Sequence, residues 1–153
     1  AQCARAAGAR VSGAGAPGNA DWRRGRGADA VDYHHDLARQ VRAVAGDGVD
    51  AVFDMYGGEL LGEEVGLLRG AAADGDGARR VVSLVDDGVR EARGQYLFAR
   101  PDRDSLEALV RAVVRAGIAS RVAQVFPLRD AAEALAVSKH GHPAGKLVLV
   151  PED

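Results

Sequence analysis

An apolar run that ends on one carboxylate is the first place where this sequence could do chemistry. In the segment VDAVFDMYGGEL, residues 49–60, Asp54 follows a short run rich in β-branched residues and precedes Tyr56, Gly57 and Gly58. Such a run is typical of a buried strand, and two glycines let the backbone turn sharply or approach a ligand closely. Open α/β sheets bind ligands at the carboxyl ends of their strands. The segment therefore predicts either a plain turn or the rim of a ligand crevice.

The other reactive side chains are two histidine pairs and one cysteine. His34 and His35 are adjacent, and His140 and His142 are separated by one glycine. A zinc site needs three or four convergent ligands, and neither pair has a cysteine nearby. We predict that the histidines lie at the surface, that Cys3 serves packing and that the chain holds no metal. The DGDG within the polar loop 69–80 lacks the further oxygen ligands that calcium requires.

Composition restricts the class of protein. The 153 residues are 47% hydrophobic and 27% charged, as in one globular domain. The net charge of −2 and the lack of a basic, aromatic-rich stretch argue against a nucleic-acid partner. No apolar stretch approaches the roughly 18 to 20 residues of a membrane-spanning helix. One cysteine fits a reducing compartment, so we expect a cytoplasmic protein with no membrane partner.

The elements that must position these side chains alternate between strand and helix along the whole chain. Asn19 and Asp36 are placed to cap helices, and Gly8 and Gly117 are placed to end them. The strongest helical pattern opens at Asp102 or Asp104, and its apolar positions are Leu106, Leu109, Val110, Val113 and Val114. Predicted strands cover residues 9–13, 28–33, 49–53, 80–85, 95–99, 121–126 and 145–150. This alternation predicts an α/β fold with a mostly parallel sheet and helices on both faces.

Nine segments, in this order, resemble the carboxyl-terminal half of the zinc-independent, quinone oxidoreductase-like branch of the medium-chain dehydrogenases/reductases. They are GARV, NADW, GADAVDY, DAVFDMYGGELL, RVVSLV, YLFARPD, LVRAVVRAG, VAQVFPLRDAAEAL and GHPAGKLVLV. The resemblance implies a partial Rossmann-like domain over residues 1–153, of which about 120–153 return to a catalytic domain. It also implies that the family's first strand, glycine-rich loop and substrate domain are missing here, so we expect a fragment that is inactive alone.

The same resemblance implies a set of cofactor-binding residues, while their catalytic counterparts stay unknown. The set is Gly13, Ala14, Tyr33, Asp54, Tyr56, Gly57, Ser83, Val85, Leu97, Phe98 and Lys146. It places residues 54–57 on the crevice wall, residues 83–85 at the nicotinamide ribose and residues 97–98 at the nicotinamide. Tyr33 falls near the adenosine phosphate and Lys146 near the cofactor phosphates. Each assignment has an alternative. Residues 54–57 would form a plain strand-end turn, residues 83–85 and 97–98 would belong to ordinary core strands, and Lys146 would be a solvated surface lysine.

The predicted cofactor is NADP, as NADPH. NAD enzymes usually place an acidic residue at the end of the strand that corresponds to residues 9–13, where it holds the ribose hydroxyls. Residues 12–16, at the end of that predicted strand, contain no acidic residue. Arg10, Arg23, Arg24 and Arg26 are close in sequence, although a solvated helix face is the alternative for any one of them.

The resemblance implies an oxidoreductase that passes hydride from NADPH to a quinone or an α,β-unsaturated carbonyl. No Ser-His-Asp or Cys-His arrangement can be argued from the sequence, which suits a reaction whose chemistry the cofactor carries. An enoyl reductase module of a multidomain synthase and a non-catalytic dinucleotide-binding remnant are the alternatives. The resemblance also implies a homodimer through a sheet edge, with RVVSLV and QYLFA as the candidate seam, unless these are ordinary buried strands.

Overall fold

The computed structural model of the protein describes residues 1–70, 80–141 and 143–152. The chain divides into two compact units, Ala1–Ser105 and Leu106–Asp153. The predicted loop 69–80, with its DGDG, and His142 lie largely or wholly outside the described residues. Among the described residues, no helix is long and apolar enough to cross a membrane.

The first unit alternates short strands with short helices. Its strands are β1 (Ser12–Ala14), β2 (Asp29–Val31), β3 (Val52–Asp54), β4 (Val81–Ser83) and β5 (Gln95–Tyr96). Its helices are α1 (Gln2–Ala6), α2 (Ala20–Gly25), α3 (Leu37–Ala45) and α4 (Glu59–Val65), with short 3-10 helices at Pro17–Asn19 and Asp87–Arg90. Helix α5 (Arg103–Arg115) begins in this unit and continues into the second.

Capping follows the sequence in part. The Asp36 side chain accepts a hydrogen bond from the Arg39 amide, 2.9 Å away, and so caps α3 as predicted. Asn19 occupies the position before α2, but its side chain makes no capping hydrogen bond. The prediction that Cys3 serves packing is wrong, because the cysteine is exposed and α1 buries none of its residues.

Two apolar clusters form the core of the first unit. One contains Val31, Leu37, Val41 and Leu67, and the other contains Leu61, Leu68, Val81 and Val89. Val49 packs against both clusters, and a bridge between Val49 and Leu68 fixes the chain after α4 beside the chain before β3. The consecutive residues Leu67 and Leu68 thus serve different clusters, which joins the two halves of this unit.

All strand pairings in the described part of the chain are parallel, as predicted, but the strands do not form one continuous sheet. β1 pairs with β2, and β3, β4 and β5 form a separate three-stranded sheet in that order. In the strand order 3-2-1-4-5-6, the strands that match β1 and β3 flank a central strand. No described residues form a strand at that position, so β1 and β3 each pair on one edge only.

Several strands are shorter than the apolar runs suggest. β1 starts at Ser12, three residues later than predicted, and β5 ends at Tyr96, so Leu97 and Phe98 follow that strand. The apolar pattern reports which residues avoid water, whereas the strand bounds depend on where a neighbouring strand supplies partners.

The second unit pairs two longer parallel strands. They are β6 (Val122–Pro127) and β7 (Lys146–Val150), joined by a 3-10 helix at Leu128–Asp130 and by α6 (Ala131–His140). Within this unit Phe126 and Ala134 are buried.

The apolar stripe of α5 is not covered. Leu106, Leu109, Val110 and Val114 are each at least half exposed, and Val114 reaches 77%. The periodicity therefore predicts the helix correctly, but the described residues bury none of α5.

Candidate functional site

The loops that follow β3 and β4 are tied together by a buried carboxylate. Asp54 is fully buried at the end of β3. Its Oδ1 accepts hydrogen bonds from the amides of Tyr56 and Gly57, at 2.7 and 2.8 Å. Its Oδ2 accepts a 2.6 Å hydrogen bond from the Ser83 hydroxyl at the end of β4, which is also fully buried. Because Asp54 and Ser83 are directly paired in the parallel register, their side chains meet on one face of the sheet.

A second carboxylate, that of Asp86, also links the loop after β3 to the loop after β4. The Ser83 hydroxyl accepts hydrogen bonds from the amides of Val85 and Asp86, at 3.2 and 3.0 Å. The Asp86 carboxylate in turn accepts from the Gly58 amide at 2.7 Å and from the Gly88 amide at 2.9 Å. Residues 54–58 and 83–88, which we call the rim, are therefore one hydrogen-bonded structure.

Two glycines in the rim are required by its geometry. Gly57 and Gly58 have φ angles of +74° and +64°, a region that other residues rarely adopt. A Cβ at Gly57 would also lie 3.0 Å from the Cβ of Asp86 and 3.3 Å from a methyl carbon of Val85. The glycine pair noted in the sequence thus lets the loop after β3 lie directly against the loop after β4.

The rim has an uneven distribution of charge. Burial pushes the pKa of Asp54 upward, but hydrogen bonds from Ser83, Gly57 and Tyr56 outweigh it and hold that pKa below its usual value. On α4, burial raises the pKa of Glu64 to about 7, and the negative charges of Asp54 and Glu63 add to the shift. The Oε2 atom of Glu64 is buried without a hydrogen-bond partner. The pair Asp54 and Glu64 therefore favours one negative charge, on Asp54, over two.

Aromatic side chains that follow strands of two different sheets lie close together. The Tyr33 ring, after β2, lies 5.4 Å from the Tyr56 ring and 4.2 Å from the His34 ring, centroid to centroid. Tyr33 is half-buried, whereas Tyr56 is 67% exposed. The structure thus brings together two residues that the sequence analysis selected separately.

The loop that carries Tyr33 is held by its polar neighbours. Asp32 accepts from the backbone amide of His34 at 2.9 Å, and the His34 ring lies 3.0 Å from the same oxygen. The amide hydrogen bond from His34 is the main cause that holds the pKa of Asp32 below its usual value. From α3, the Gln40 side chain bonds both the amide and the carbonyl of Asp32. These contacts fix the direction in which Tyr33 leaves β2.

The arginines near the end of β1 have different environments. Arg10 pairs with Asp29 at 2.9 Å, Arg24 pairs with Asp21 at 2.8 Å, and Arg26 lies over the Trp22 ring at 4.4 Å. Arg23 instead reaches the carboxyl ends of β1 and β2, where its Nη2 donates to the carbonyls of Gly15, Ala16 and Val31 at 3.0, 3.2 and 3.4 Å. Gly13 and Ala14 themselves lie inside β1, at the end that these carbonyls follow.

The remaining predicted cofactor-binding residues have exposed side chains, and one of them belongs to the second unit. Val85, Leu97 and Phe98 follow β4 and β5 with exposed side chains, of which Phe98 is 73% exposed. The Leu97 amide donates to the Ser83 carbonyl at 2.9 Å, which links residues 97–98 to the rim. Lys146 is exposed at the start of β7, in the second unit.

The sequence analysis missed Asp86, Glu64 and the particular position of Arg23. The acidic pair Asp86–Asp87, directly after a predicted strand, is a typical turn signal that could have marked Asp86. Glu64 lies within an apolar helix pattern, and only the packed structure shows that its carboxyl is buried.

The described residues hold no group of three or more His, Cys, Asp or Glu side chains placed to bind a metal ion. What they offer is a rim of small residues and exposed apolar and aromatic side chains at strand ends, held in place by hydrogen bonds from backbone amides to Asp54, Ser83 and Asp86. Such an arrangement can hold and orient an organic ligand.

Comparisons with known proteins agree with this architecture. A family model described as zinc-binding dehydrogenase matches residues 26–149. The 2-haloacrylate reductase of a Burkholderia species is 32% identical over 132 residues, which cover 76% of this chain and 40% of that protein. The structure of a proposed alcohol dehydrogenase from Sinorhizobium meliloti 1021 shares 26% identity at a TM-score of 0.79, over 99% of this chain and 44% of that one.

A quinone oxidoreductase from Coxiella burnetii shares the fold, with a TM-score of 0.76 and 24% identity over 97% of this chain and 47% of that one. The chain thus spans less than half the length of each of these three proteins. It belongs to the zinc-binding dehydrogenase family of the medium-chain dehydrogenase/reductase superfamily.

Proposed function

We propose that this chain binds a nicotinamide dinucleotide along its strand ends and serves an NADPH-dependent reductase. The observation that carries the proposal is the rim, in which Asp54, Ser83 and Asp86 hold two adjacent loops in a fixed arrangement. Open α/β sheets bind dinucleotides at the carboxyl ends of their strands, and the rim lies at the ends of β3 and β4.

In this proposal Asp54 and Ser83 are positioning residues, because both side chains are buried and bonded to the chain itself. The groups that would meet the dinucleotide are those that the rim presents, namely the backbone near Gly57 and the side chains of Tyr56 and Val85. Leu97 and Phe98 would form an apolar wall beside the nicotinamide. Gly13, Ala14 and Tyr33 would surround the adenosine end.

The bound cofactor would supply the hydride, and the protein would supply binding and orientation. NADPH is favoured over NADH because residues 12–16 carry no acid that would repel a 2′-phosphate. Zinc-independence stays a prediction, and no step is assigned to zinc because the described residues hold no group of side chains that fits a metal site.

The proposed substrates are a quinone or an α,β-unsaturated carbonyl. The name of the Burkholderia relative, 2-haloacrylate reductase, favours the conjugated class, since a haloacrylate carries a C=C bond next to its carboxylate. In that reaction hydride from NADPH and one proton add across the C=C bond, which gives the saturated product and NADP⁺.

The homodimer and the cytoplasmic location are likewise proposals. β4 is paired on both sides, by β3 and β5, so RVVSLV cannot serve as an edge seam. β5 is at the edge of its sheet, which leaves QYLFA as the candidate seam. The single cysteine supports a reducing compartment.

The test combines binding with turnover. The purified protein is titrated with NADPH and NADH by nicotinamide fluorescence and is then assayed for NADPH oxidation with 2-haloacrylate, an α,β-unsaturated ketone and a quinone. We expect saturable NADPH binding by this chain, and oxidation that depends on one of these acceptors only in a protein that also carries the glycine-rich loop and the substrate domain. Binding without oxidation in that longer protein would favour the non-catalytic alternative, and no binding of either nucleotide would contradict the proposal.

A further inference from the structure

Arg23 differs from the other three arginines near β1 in what its charge faces. Arg10 and Arg24 are paired with carboxylates, and Arg26 lies over an aromatic ring. The structure describes no carboxylate partner for Arg23, whose Nη2 donates to backbone carbonyls only. Its charge is therefore half-buried and uncompensated by an anion of the described chain.

The route of the Arg23 side chain depends on two glycines. A Cβ at Gly13 would lie 3.2 Å from the Arg23 Cδ, and a Cβ at Gly15 would lie 2.3 Å from its Nη1. Neither glycine has a positive φ, so neither is required by its own backbone conformation. Their lack of a side chain instead leaves room for Arg23 to pass β1 and place its guanidinium at the strand ends.

The guanidinium retains donors that the described residues do not use. Nη2 makes the three carbonyl contacts and Nε is buried, so Nη1, which donates to none of the described residues, is the donor left for a ligand. A planar guanidinium with a free donor group and no counter-ion matches a phosphate in charge. The strand end it faces, residues 12–16, carries no acid to compete for it.

We infer that Arg23 is the residue through which this protein selects NADPH over NADH, by binding the 2′-phosphate of the adenosine ribose. The inference rests on the proposed function. It assigns the selectivity to one arginine, for which Gly13 and Gly15 leave space, and it gives no role to Arg24 or Arg26.

The test compares Arg23→Met and Arg23→Lys with the matched control Arg24→Met, which removes a neighbouring exposed charge from the same helix. The dissociation constants of NADPH and NADH are measured for each protein by nicotinamide fluorescence. For Arg23→Met we expect NADPH affinity to fall about 10- to 100-fold, as for loss of a charged hydrogen bond, with NADH affinity changed less than about twofold. Arg23→Lys should keep part of the preference, and Arg24→Met should keep all of it.

NADH binding serves as the internal control for folding, because a variant that misfolds loses both nucleotides. Equal losses for NADPH and NADH in both Arg23 variants would overturn the inference and make Arg23 a structural support of the loop after β1. A wild-type protein that binds both nucleotides equally well would overturn it while leaving dinucleotide binding intact. A wild-type protein that binds neither would overturn the proposed function itself.

Discussion

Asp54 shows how a residue chosen for its chemistry can act through position. Both of its carboxylate oxygens accept hydrogen bonds from the chain, and the side chain is fully buried. The sequence could place Asp54 at a strand end, because a short apolar run precedes it. It could not identify Ser83 as the partner, because that contact depends on the register between β3 and β4.

Replacing Ser83 with alanine tests the buried pair. Ser83→Ala leaves one oxygen of Asp54 without its donor, so we expect the free energy of unfolding to fall by about 1 to 3 kcal/mol. The effect should shrink at a pH below the pKa of Asp54, where the carboxylate is protonated. Urea unfolding measures the change, and Ser138→Ala, at an exposed position in α6, is the control. A loss no larger than that of the control would contradict this account of the pair.

Glu64 makes stability depend on pH in the opposite sense to Asp54. Its pKa is raised from 4.5 to about 7 by burial and by the charges of Asp54 and Glu63. Between these values the unfolded chain releases the proton while the folded chain keeps it, so stability falls as pH rises through this window. Above about pH 7 the folded chain carries the negative charge of Glu64, which lowers the free energy of unfolding.

We therefore expect Glu64→Gln to match the wild-type protein near pH 4.5 and to exceed its stability by about 1 to 2 kcal/mol near pH 8, after allowing for partial solvent screening. Thermal melts across this range measure the difference. Glu59→Gln, at an exposed position on the same helix, should show no such pH dependence. Parallel pH profiles for wild type and Glu64→Gln would contradict the assignment.

At the scale of elements, the loop after β3 and helix α4 use glycine for different reasons. Gly57 has a positive φ and lies against Asp86, whereas Gly62 is inside α4 with open space around it. Gly57→Ala should destabilise the protein by about 1 to 3 kcal/mol, and Gly62→Ala should stabilise it by about 0.5 to 1 kcal/mol. Chemical unfolding measures both changes, and a Gly57→Ala protein as stable as the wild type would show that the rim does not require Gly57.

Helices were more predictable from this sequence than strand ends. The pattern Leu37, Val41 and the cap at Asp36 specify α3 locally, and the structure has both. The ends of β1 and β5 depend on hydrogen bonds to neighbouring strands, so the apolar runs predict strands that are longer than those observed. The exposed stripe of α5 shows the same limit, since periodicity indicates a face that avoids water but not what covers it.

At the scale of the whole molecule, the described strands form three parallel sheets, and the candidate site draws on two of them. Tyr33 comes from the sheet of β1 and β2, and Tyr56 from the sheet of β3, β4 and β5, yet their rings are 5.4 Å apart. The order of elements, and hence the family, could be recognised from the sequence. The separation into two sheets in the first unit could not, because it depends on backbone pairing between distant segments.

The most direct test of the central claim is amide hydrogen exchange of the protein with and without saturating NADPH. The account predicts slower exchange in residues 13–16 and 33–35 and in the rim, with the largest change around Gly57 and Gly58, where the two loops meet. Unchanged exchange in the rim, or protection confined to residues 106–141, would contradict a dinucleotide site at these strand ends.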